Sequence, residues 1–426
     1  MNTVGRAAWE MLSWGIRAFG GGFAIAVLGG IILGSAGGCN PASPAAFRLN
    51  LEGREPRRIS FLQRESLEEL MVELFGTPDE PRLPPGVELN LELLRMAAGP
   101  AIRMGDEEGY GRQRRGLYRE HCARCHGISG DGAGPAALVL HPYPRDFRWG
   151  IFKYTSTLPG LKPTRADLRQ VLRRGLPGTA MPSFARLDPI ELEALVEYVI
   201  YLSIRGETER YAVQLILDED EPLPLSIVSK ERIIEEGAQW AYQQWLIPES
   251  DPQQYVVVPP PPPEVSMPAA WADSVAKGRE LYRSERAQCV KCHGPEGAGD
   301  GEQTDLYDDW NLAKKGVTPA QTARLSALFS LPLQRLKARD FRAGIFHGGS
   351  RAEDLYLRIH IGIKGTPMPG VGPNGDNPGV LQLEEIWHIV HFIQDLAGQN
   401  PFSQKATGAA GRNPLLSELS GSTFGK

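Results

Sequence analysis

The amino-acid sequence predicts a mainly α-helical protein that contains two tandem copies of one small helical domain. Three observations predict this class: a set of short motifs occurs twice in the same order, each copy ends in an amphipathic helix, and an acidic, proline-rich linker separates the copies. The 426-residue chain is long enough for two or three domains. An apolar run near the N-terminus adds a predicted membrane anchor.

Residues 1–39 have the composition of an export signal. Basic residues precede the apolar run Ala18–Gly38, and Cys39 follows it. A basic segment, an apolar segment and small residues in this order are typical of secretion signals. The final AGGC resembles a bacterial lipobox, in which a lipidated Cys39 would become the mature N-terminus, although Ala36 stands where a larger aliphatic residue is usual. The run is also long enough to remain as an uncleaved transmembrane anchor.

Both forms of attachment predict that the chain lies at the periplasmic face of the bacterial cytoplasmic membrane. A sorted lipoprotein would lie at the outer membrane instead, and free secretion is the remaining alternative. The net charge of −5 argues against nucleic acid as a partner. Five cysteines are too few for a disulfide scaffold in a chain of this size.

Residues 40–108 are predicted to form a tether with one short helix. Around Ser66–Gly76, apolar residues recur at helical spacing, and a proline-rich stretch follows. We expect this helix to pack on a neighbouring domain or subunit.

Residues 109–206 and 265–398 are the two copies of an internal repeat, called here the first and the second repeat. The matched motifs are CARCHG at Cys122 and CVKCHG at Cys289, GDG at Gly130 and Gly299, RDFR at Arg145 and Arg339, and GTAMP at Gly178 and GTPMP at Gly365. The predicted first helices are Gly109–Cys122 and Trp271–Glu285, and the predicted last helices are Asp188–Ser203 and Gln382–Ala397. The second repeat is also longer, with 47 residues from His293 to Asp340 against 20 from His126 to Asp146.

Residues 207–264 separate the repeats as an acidic insert and linker. Acidic residues outnumber basic residues there by 12 to 3, and the segment ends in VVVPPPPPE, a stiff polyproline spacer. The acidic insert either steers charged partners or folds against the basic first repeat. Residues 399–426 are rich in Gly, Ser and Asn and are predicted to be disordered.

The repeated Cys-x-x-Cys-His sequence is the attachment motif for c-type haem. Two cysteines at this spacing form thioether bonds to the haem vinyl groups, and the adjacent histidine binds the iron. The predicted cofactors are therefore two covalently bound haem c groups, attached through Cys122, Cys125 and His126, and through Cys289, Cys292 and His293. A zinc site would need two ligand pairs close in space, and a thioredoxin-like motif would need neither the histidine nor the repeat.

Each haem iron needs a sixth ligand or an open position. Met181 and Met368 stand at the same place in the two repeats, after the haem motif and between Gly, Thr and Pro residues. A thioether is a soft ligand that stabilises ferrous iron, so these methionines are the predicted axial ligands. Histidine is the rival ligand type, with His141 and His360 as candidates. His388 and His391 lie on a predicted helix, as surface or core residues.

The two repeats together resemble the class I cytochrome c family. That resemblance implies a small helical domain whose first and last helices cross near the haem. It also implies that a glycine and an aromatic residue on the first helix pack against an aromatic residue on the last. The residues that match these roles are Gly116, Tyr118 and Tyr198 in the first repeat, and Gly278, Tyr282 and Trp387 in the second.

The resemblance also implies partners for the haem and its histidine. In the family, a proline carbonyl after the haem motif accepts a hydrogen bond from the ligand histidine, a role that Pro135 matches for His126. The second repeat has Thr304 at that position, which leaves the partner of His293 open and suggests that the two haems differ in potential. Arg145 and Arg339 are predicted either to pair with haem propionates or to form salt bridges with the neighbouring aspartates.

Two haems with histidine and methionine ligands have no position for a substrate, so the predicted function is electron transfer. A dihaem cytochrome attached to the membrane would pass electrons between respiratory components, as a carrier or as a fixed subunit. The expected partners are a quinol-oxidising complex, a terminal oxidase or reductase, or other cytochromes. The alternative is a dihaem peroxidase-like enzyme with one displaceable ligand. A haem-based sensor or assembly factor is the third hypothesis.

Overall fold

The computed structural model describes residues 45–51, 59–100, 102–103, 114–218, 225–309, 331–375 and 377–403. These residues belong to one compact unit. The predicted export signal with Cys39 and residues 404–426 of the predicted disordered tail lie outside the described residues. In the described ranges, no helix is both long and apolar enough to cross a bilayer.

The described residues are mainly helical, as the sequence predicts. The helices are α1 (Phe61–Phe75), α2 (Leu91–Ala97), α3 (Leu117–His121), α4 (Ala123–His126), α5 (Arg165–Arg174), α6 (Pro189–Asp218), α7 (Ile227–Arg232), α8 (Trp240–Ser250), α9 (Pro252–Tyr255), α10 (Pro268–Arg283), α11 (Val290–His293), α12 (Ala352–Ile361) and α13 (Leu383–Leu396). A π-helical segment, Ile233–Gln239, joins α7 to α8, and 3-10 turns lie at Ala137–Val139, Phe147–Trp149 and Phe341–Ala343. Strands β1 (Ile102–Arg103) and β2 (Arg114–Arg115) pair antiparallel.

The segment predicted as a tether is part of the core around the first repeat. Ser60 and Gln63 form a capping box that starts α1, which satisfies amides that the helix itself leaves unpaired. The apolar face of α1 is buried against α6, and Tyr201 donates a hydrogen bond to the Phe75 carbonyl oxygen. Helix α2 also packs on α6. The predicted helix is therefore present and packed, but residues 59–100 form part of a domain rather than a free tether.

The acidic insert also folds onto the first repeat. Helix α6 was predicted to end at Ser203 and continues to Asp218, and the π segment and α8 pack back on it. Trp245 of α8 is buried, and its ring meets the Phe152 ring edge to face at 5.6 Å. Of the two predicted alternatives, the structure shows the acidic insert folded on the first repeat.

The polyproline linker lies against both repeats. Val257 donates a hydrogen bond to the Ser156 carbonyl oxygen at 2.8 Å, so the linker continues along the first repeat. The Trp387 indole N–H donates to the Pro260 carbonyl oxygen at 3.0 Å in the second repeat. The linker therefore bridges two packed domains instead of holding them apart.

The first and last helices of the second repeat cross as expected. A Cβ atom on Gly278 of α10 would lie 1.9 Å from the His388 carbonyl oxygen of α13, so only glycine permits this approach. Tyr282 packs on Phe392 with ring centroids 5.2 Å apart, so Phe392 rather than Trp387 is its aromatic partner.

The first repeat differs at its N-terminal helix. Within the described part of the predicted helix Gly109–Cys122, Arg114 and Arg115 form β2, and helix α3 begins at Leu117. Gly116 is the N-cap of α3, in a left-handed conformation with φ of 80°. Gly116 therefore lies between β2 and α3 and is not a helix-packing glycine. Tyr118 packs on Tyr198 at 4.8 Å, as predicted.

Candidate functional site

The two Cys-x-x-Cys-His motifs form short helical turns, α4 and α11. Burial raises the pKa of Cys122 to about 12 and that of Cys289 to about 11, so both thiols are held protonated at neutral pH. A zinc site would need further ligands that converge on the two cysteines of each motif. In the part of the chain that the structure describes, no three His, Cys, Asp or Glu side chains converge as a metal site would. The two cysteines and the histidine of each motif fit haem attachment instead.

Each motif histidine is fixed by the same two contacts. The Nδ1 atom of His126 lies 3.0 Å from the Arg145 carbonyl oxygen, and its ring stacks on Phe147 at 4.5 Å. The Nδ1 atom of His293 lies 3.1 Å from the Arg339 carbonyl oxygen, and its ring stacks on Phe341 at 4.5 Å. Both acceptors and both aromatic rings come from the RDFR motifs.

The prediction that the Pro135 carbonyl oxygen accepts the hydrogen bond of His126 is therefore wrong. Pro135 is exposed, and the acceptor of the ring Nδ1–H is the carbonyl oxygen of Arg145, after the loop that follows the haem motif. The partner of His293, left open by Thr304, is the equivalent main-chain group of Arg339. The two histidines thus have matching acceptors, and the sequence difference at Pro135 and Thr304 does not alter them.

Burial also sets the protonation of these rings. Desolvation lowers the pKa of His126 and of His293, and the hydrogen bond to the carbonyl oxygen opposes this only in part. A neutral imidazole that donates through Nδ1 presents the lone pair of Nε2, which is the form that binds iron. The histidines are therefore already oriented and in the correct protonation state for the role predicted for them.

The two methionine loops have the same hydrogen bonds. Helix α5 leads into the first loop, where Leu176 N–H donates to the Met181 carbonyl oxygen at 3.1 Å. Helix α12 leads into the second, where Ile363 N–H donates to the Met368 carbonyl oxygen at 3.1 Å. A threonine within each loop accepts from the methionine amide and donates to the loop carbonyl; the two residues are Thr179 and Thr366. Such closed loops hold a side chain in place without regular secondary structure.

The aspartates of the RDFR motifs pair with the second arginine of the motif. Arg148 donates to the Asp146 carboxylate at 2.9 and 2.8 Å, and Arg342 makes the same contacts with Asp340 at 2.9 Å. The predicted alternative, a salt bridge between the first arginine and its neighbouring aspartate, is therefore replaced by this pairing.

Arg145, the first arginine of the first RDFR motif, retains free donor capacity. In the described chain, Arg145 Nε is buried and has no hydrogen-bond partner. A buried guanidinium N–H without an acceptor is costly, and a propionate oxygen would satisfy it. Arg145 is also the residue whose carbonyl oxygen holds His126, so this free N–H fits the prediction that Arg145 binds a haem propionate.

The rival histidines have other contacts. His141 is exposed, and the buried His360 ring places Nε2 2.8 Å from the Pro373 carbonyl oxygen. His388 and His391 are buried, and each Nδ1 lies 2.7 Å from Ser274 Oγ. Because one hydroxyl donates to only one of the two rings, these histidines must adopt opposite tautomers. They are core residues of the helix crossing.

Sequence reasoning missed three kinds of residue that shape the site. They are the rings that stack on the histidines, Phe147 and Phe341, and the loop threonines, Thr179 and Thr366. The third kind is the main-chain carbonyl groups of Arg145 and Arg339, which accept the hydrogen bonds of the histidines. All of them lie within motifs that occur in both repeats, so the repetition itself was the available signal.

Comparison with protein families identifies both repeats. Residues 111–199 match the family model described as cytochrome c oxidase, cbb3-type, subunit III, and residues 275–397 match the cytochrome c model. The chain therefore contains two cytochrome c-type domains with the class I resemblance predicted from its motifs. Domains of this type carry covalently bound haem c, and their common function is electron transfer.

Two known proteins resemble parts of the chain. The dihydro-heme d1 dehydrogenase of Pseudomonas aeruginosa is 33% identical over 112 residues, which cover 26% of this chain and 19% of that protein. The chain thus aligns with less than a fifth of that relative's length. A chain of the Kuenenia stuttgartiensis reducing HAO-like protein complex is 25% identical, with a TM-score of 0.42, over 66% of this chain and 93% of the other.

Proposed function

We propose that this protein is a dihaem c-type cytochrome that passes electrons between redox proteins. The observation that carries the proposal is the duplicated ligand arrangement. In each repeat, a partly buried neutral histidine is oriented by an RDFR carbonyl group, and a hydrogen-bonded loop carries a methionine at the matching position. Bound haem supplies the one-electron chemistry, and the chain supplies the ligands, their orientation and the exclusion of water.

The residues that would hold each haem follow from this arrangement. Cys122, Cys125, His126 and Met181 would hold the first, and Cys289, Cys292, His293 and Met368 would hold the second. Arg145 and Arg339 would face the propionates. A six-coordinate iron has no position for a substrate, so the protein's contribution is to position and tune two redox centres.

The proposed setting is the periplasmic side of a bacterial membrane, with attachment through the N-terminal segment. The apolar run and Cys39 support the attachment, and respiratory complexes or other cytochromes are the proposed partners. The similarity to a dehydrogenase over one part of its length supports a role in accepting electrons from an oxidising enzyme. Replacing Cys39 with Ala and following the chain in membrane fractions would separate lipid attachment, which the substitution abolishes, from a transmembrane anchor, which it preserves.

The direct test is the optical spectrum of the reduced protein before and after addition of carbon monoxide, together with a pyridine haemochrome assay of haem content. Two haems per chain and unchanged spectra are expected if both irons have strong axial ligands. Ready binding of carbon monoxide by one haem would contradict the methionine assignment at that site. That result would favour the alternative, a peroxidase-like enzyme with one displaceable ligand.

A further inference from the structure

The two domains contact each other through the same segments of each repeat. A Cβ atom on Gly178, in the methionine loop of the first repeat, would lie 2.7 Å from a side-chain carbon of Ile345 in the second. A Cβ atom on Gly365, in the methionine loop of the second repeat, would lie 2.9 Å from the equivalent carbon of Ile151 in the first. Each methionine loop therefore packs on the segment that follows the other domain's RDFR motif.

Arg145 connects two predicted iron sites within this interface. Its main-chain carbonyl oxygen accepts the hydrogen bond from His126, the predicted iron ligand of its own domain. Its side chain crosses the interface, and Nη2 donates to the Lys364 carbonyl oxygen at 3.3 Å. Lys364 begins the loop that carries Met368. One residue therefore contacts the histidine of one site and the methionine loop of the other.

Arg339 makes the reciprocal connection through one further residue. Its carbonyl oxygen accepts from His293, and its Nη2 contacts both ring nitrogens of His347, at 3.0 Å from Nδ1 and 2.5 Å from Nε2. The His347 ring lies beside Gly178, within the loop that carries Met181, because a Cβ atom on Gly178 would lie 3.5 Å from its Nε2 atom. The same pattern thus runs in both directions across the interface, although the second connection includes an imidazole.

Further contacts keep the interface closed around these connections. Lys364 Nζ donates to Thr157 Oγ1 at 2.6 Å and to the Leu161 carbonyl oxygen at 2.9 Å. Arg358 donates to the Lys153 carbonyl oxygen at 3.1 Å. In each of these contacts, a side chain of the second repeat binds a group of the first repeat. The methionine loop of the second repeat is therefore attached to the first domain at two points of Lys364, the side-chain Nζ and the main-chain carbonyl oxygen.

We propose that Arg145, and Arg339 with His347, are positioning residues that couple the axial ligation of the two haems across the domain interface. Each arginine orients the histidine of its own domain through the main chain and stabilises the methionine loop of the other domain through the side chain. The consequence is that a change at one site alters the ligand strength, and hence the potential, of the other. This proposal rests on the proposed function, since it requires methionine ligation in both domains.

The test uses the full-length holoprotein and proton NMR of the reduced state. The ring current of haem moves the methyl signal of an iron-bound methionine far upfield, so two such signals are expected. Replacing Met181 with His removes one signal and thereby assigns the other to Met368. Arg145→Met is then compared with Arg342→Met, the control, because exposed Arg342 is the second arginine of the other RDFR motif and pairs with Asp340.

Arg145→Met is expected to shift or broaden the Met368 signal and to raise carbon monoxide binding at the second haem about tenfold, the effect of losing one charged hydrogen bond. His347→Phe tests the reciprocal connection without touching either motif histidine, and it should move the Met181 signal. Changes confined to the domain that carries each substitution would overturn the proposal. Absence of both upfield signals in the unsubstituted protein would instead overturn the proposed methionine ligation, and the coupling with it.

Discussion

The two RDFR motifs provide two ion pairs of the same residue types that differ in burial. Asp146 and Arg148 are 0% and 2% exposed, whereas Asp340 and Arg342 are 38% and 53% exposed. The hydrogen-bond geometry is the same in both, including an amide of the second arginine that donates to the aspartate at 3.0 and 3.1 Å. The substitutions Arg148→Met and Arg342→Met therefore measure the effect of burial on one interaction.

The expected costs differ by several kcal/mol. Arg148→Met leaves the buried Asp146 carboxylate without its partner, and loss of one member of a buried pair destabilises a protein by about 3–5 kcal/mol. Arg342→Met breaks an exposed pair, which contributes about 0–1 kcal/mol. The first substitution should also loosen the turn whose Arg145 carbonyl holds His126, because Asp146 caps that turn.

The assay is guanidinium unfolding by circular dichroism, combined with hydrogen exchange to assign the loss of stability to a domain. Arg148→Met is expected to lower the opening free energy of amides in α3 and α4, while Arg342→Met leaves those in α10 and α11 nearly unchanged. Equal costs for the two substitutions, within about 0.5 kcal/mol, would refute the assignment of the difference to burial.

Three further outcomes are expected. Gly278→Ala should destabilise the second domain by about 1–3 kcal/mol in thermal unfolding, because the added Cβ forces α10 away from α13; an unchanged melting temperature would contradict the close helix crossing. Trp245→Ala should lower the free energy of unfolding by about 3–5 kcal/mol and expose residues 225–255 to proteases. Unchanged protection against proteolysis would show that the fold of the acidic insert does not depend on this side chain. Burial, and secondarily His388, lowers the pKa of His391 from 6.5 to about 4, so the unfolded chain binds more protons between these values. Stability should therefore fall as pH falls through that window, by at most about 3 kcal/mol, and His391→Phe should flatten the profile in pH-dependent unfolding.

The motifs predicted the chemistry of the site better than its connections. Local spacing was enough to single out the haem cysteines, the motif histidines and the two matching methionines, since these motifs depend on few neighbouring residues. The acceptor of the His126 hydrogen bond depends on the path of the loop that follows the haem motif. Arg145 is 19 residues away in the sequence and lies close to His126 only in the folded chain. Pro135 was the wrong choice for that reason.

Helix α6 shows why the domain boundaries were not predictable from composition. Gly206 follows an apolar helix and has the appearance of a stop signal. In the structure it lies within α6, where a Cβ atom would come within 2.4 Å of the Arg148 backbone. The glycine permits close packing instead of ending the helix, and the longer helix buries Arg148. Helix α13 ends at Leu396, and Arg342 of the second repeat is exposed.

The reciprocal packing of Gly178 on Ile345 and of Gly365 on Ile151 has the form of an isologous subunit interface, the kind that relates two identical chains by a twofold axis. In this protein the two halves are joined covalently by a linker, which raises their effective concentration to the millimolar range. Association no longer requires both halves to keep the same surface. A fused pseudo-dimer can therefore specialise its halves independently, with one half enlarged by helices from the adjacent segments and the other left compact.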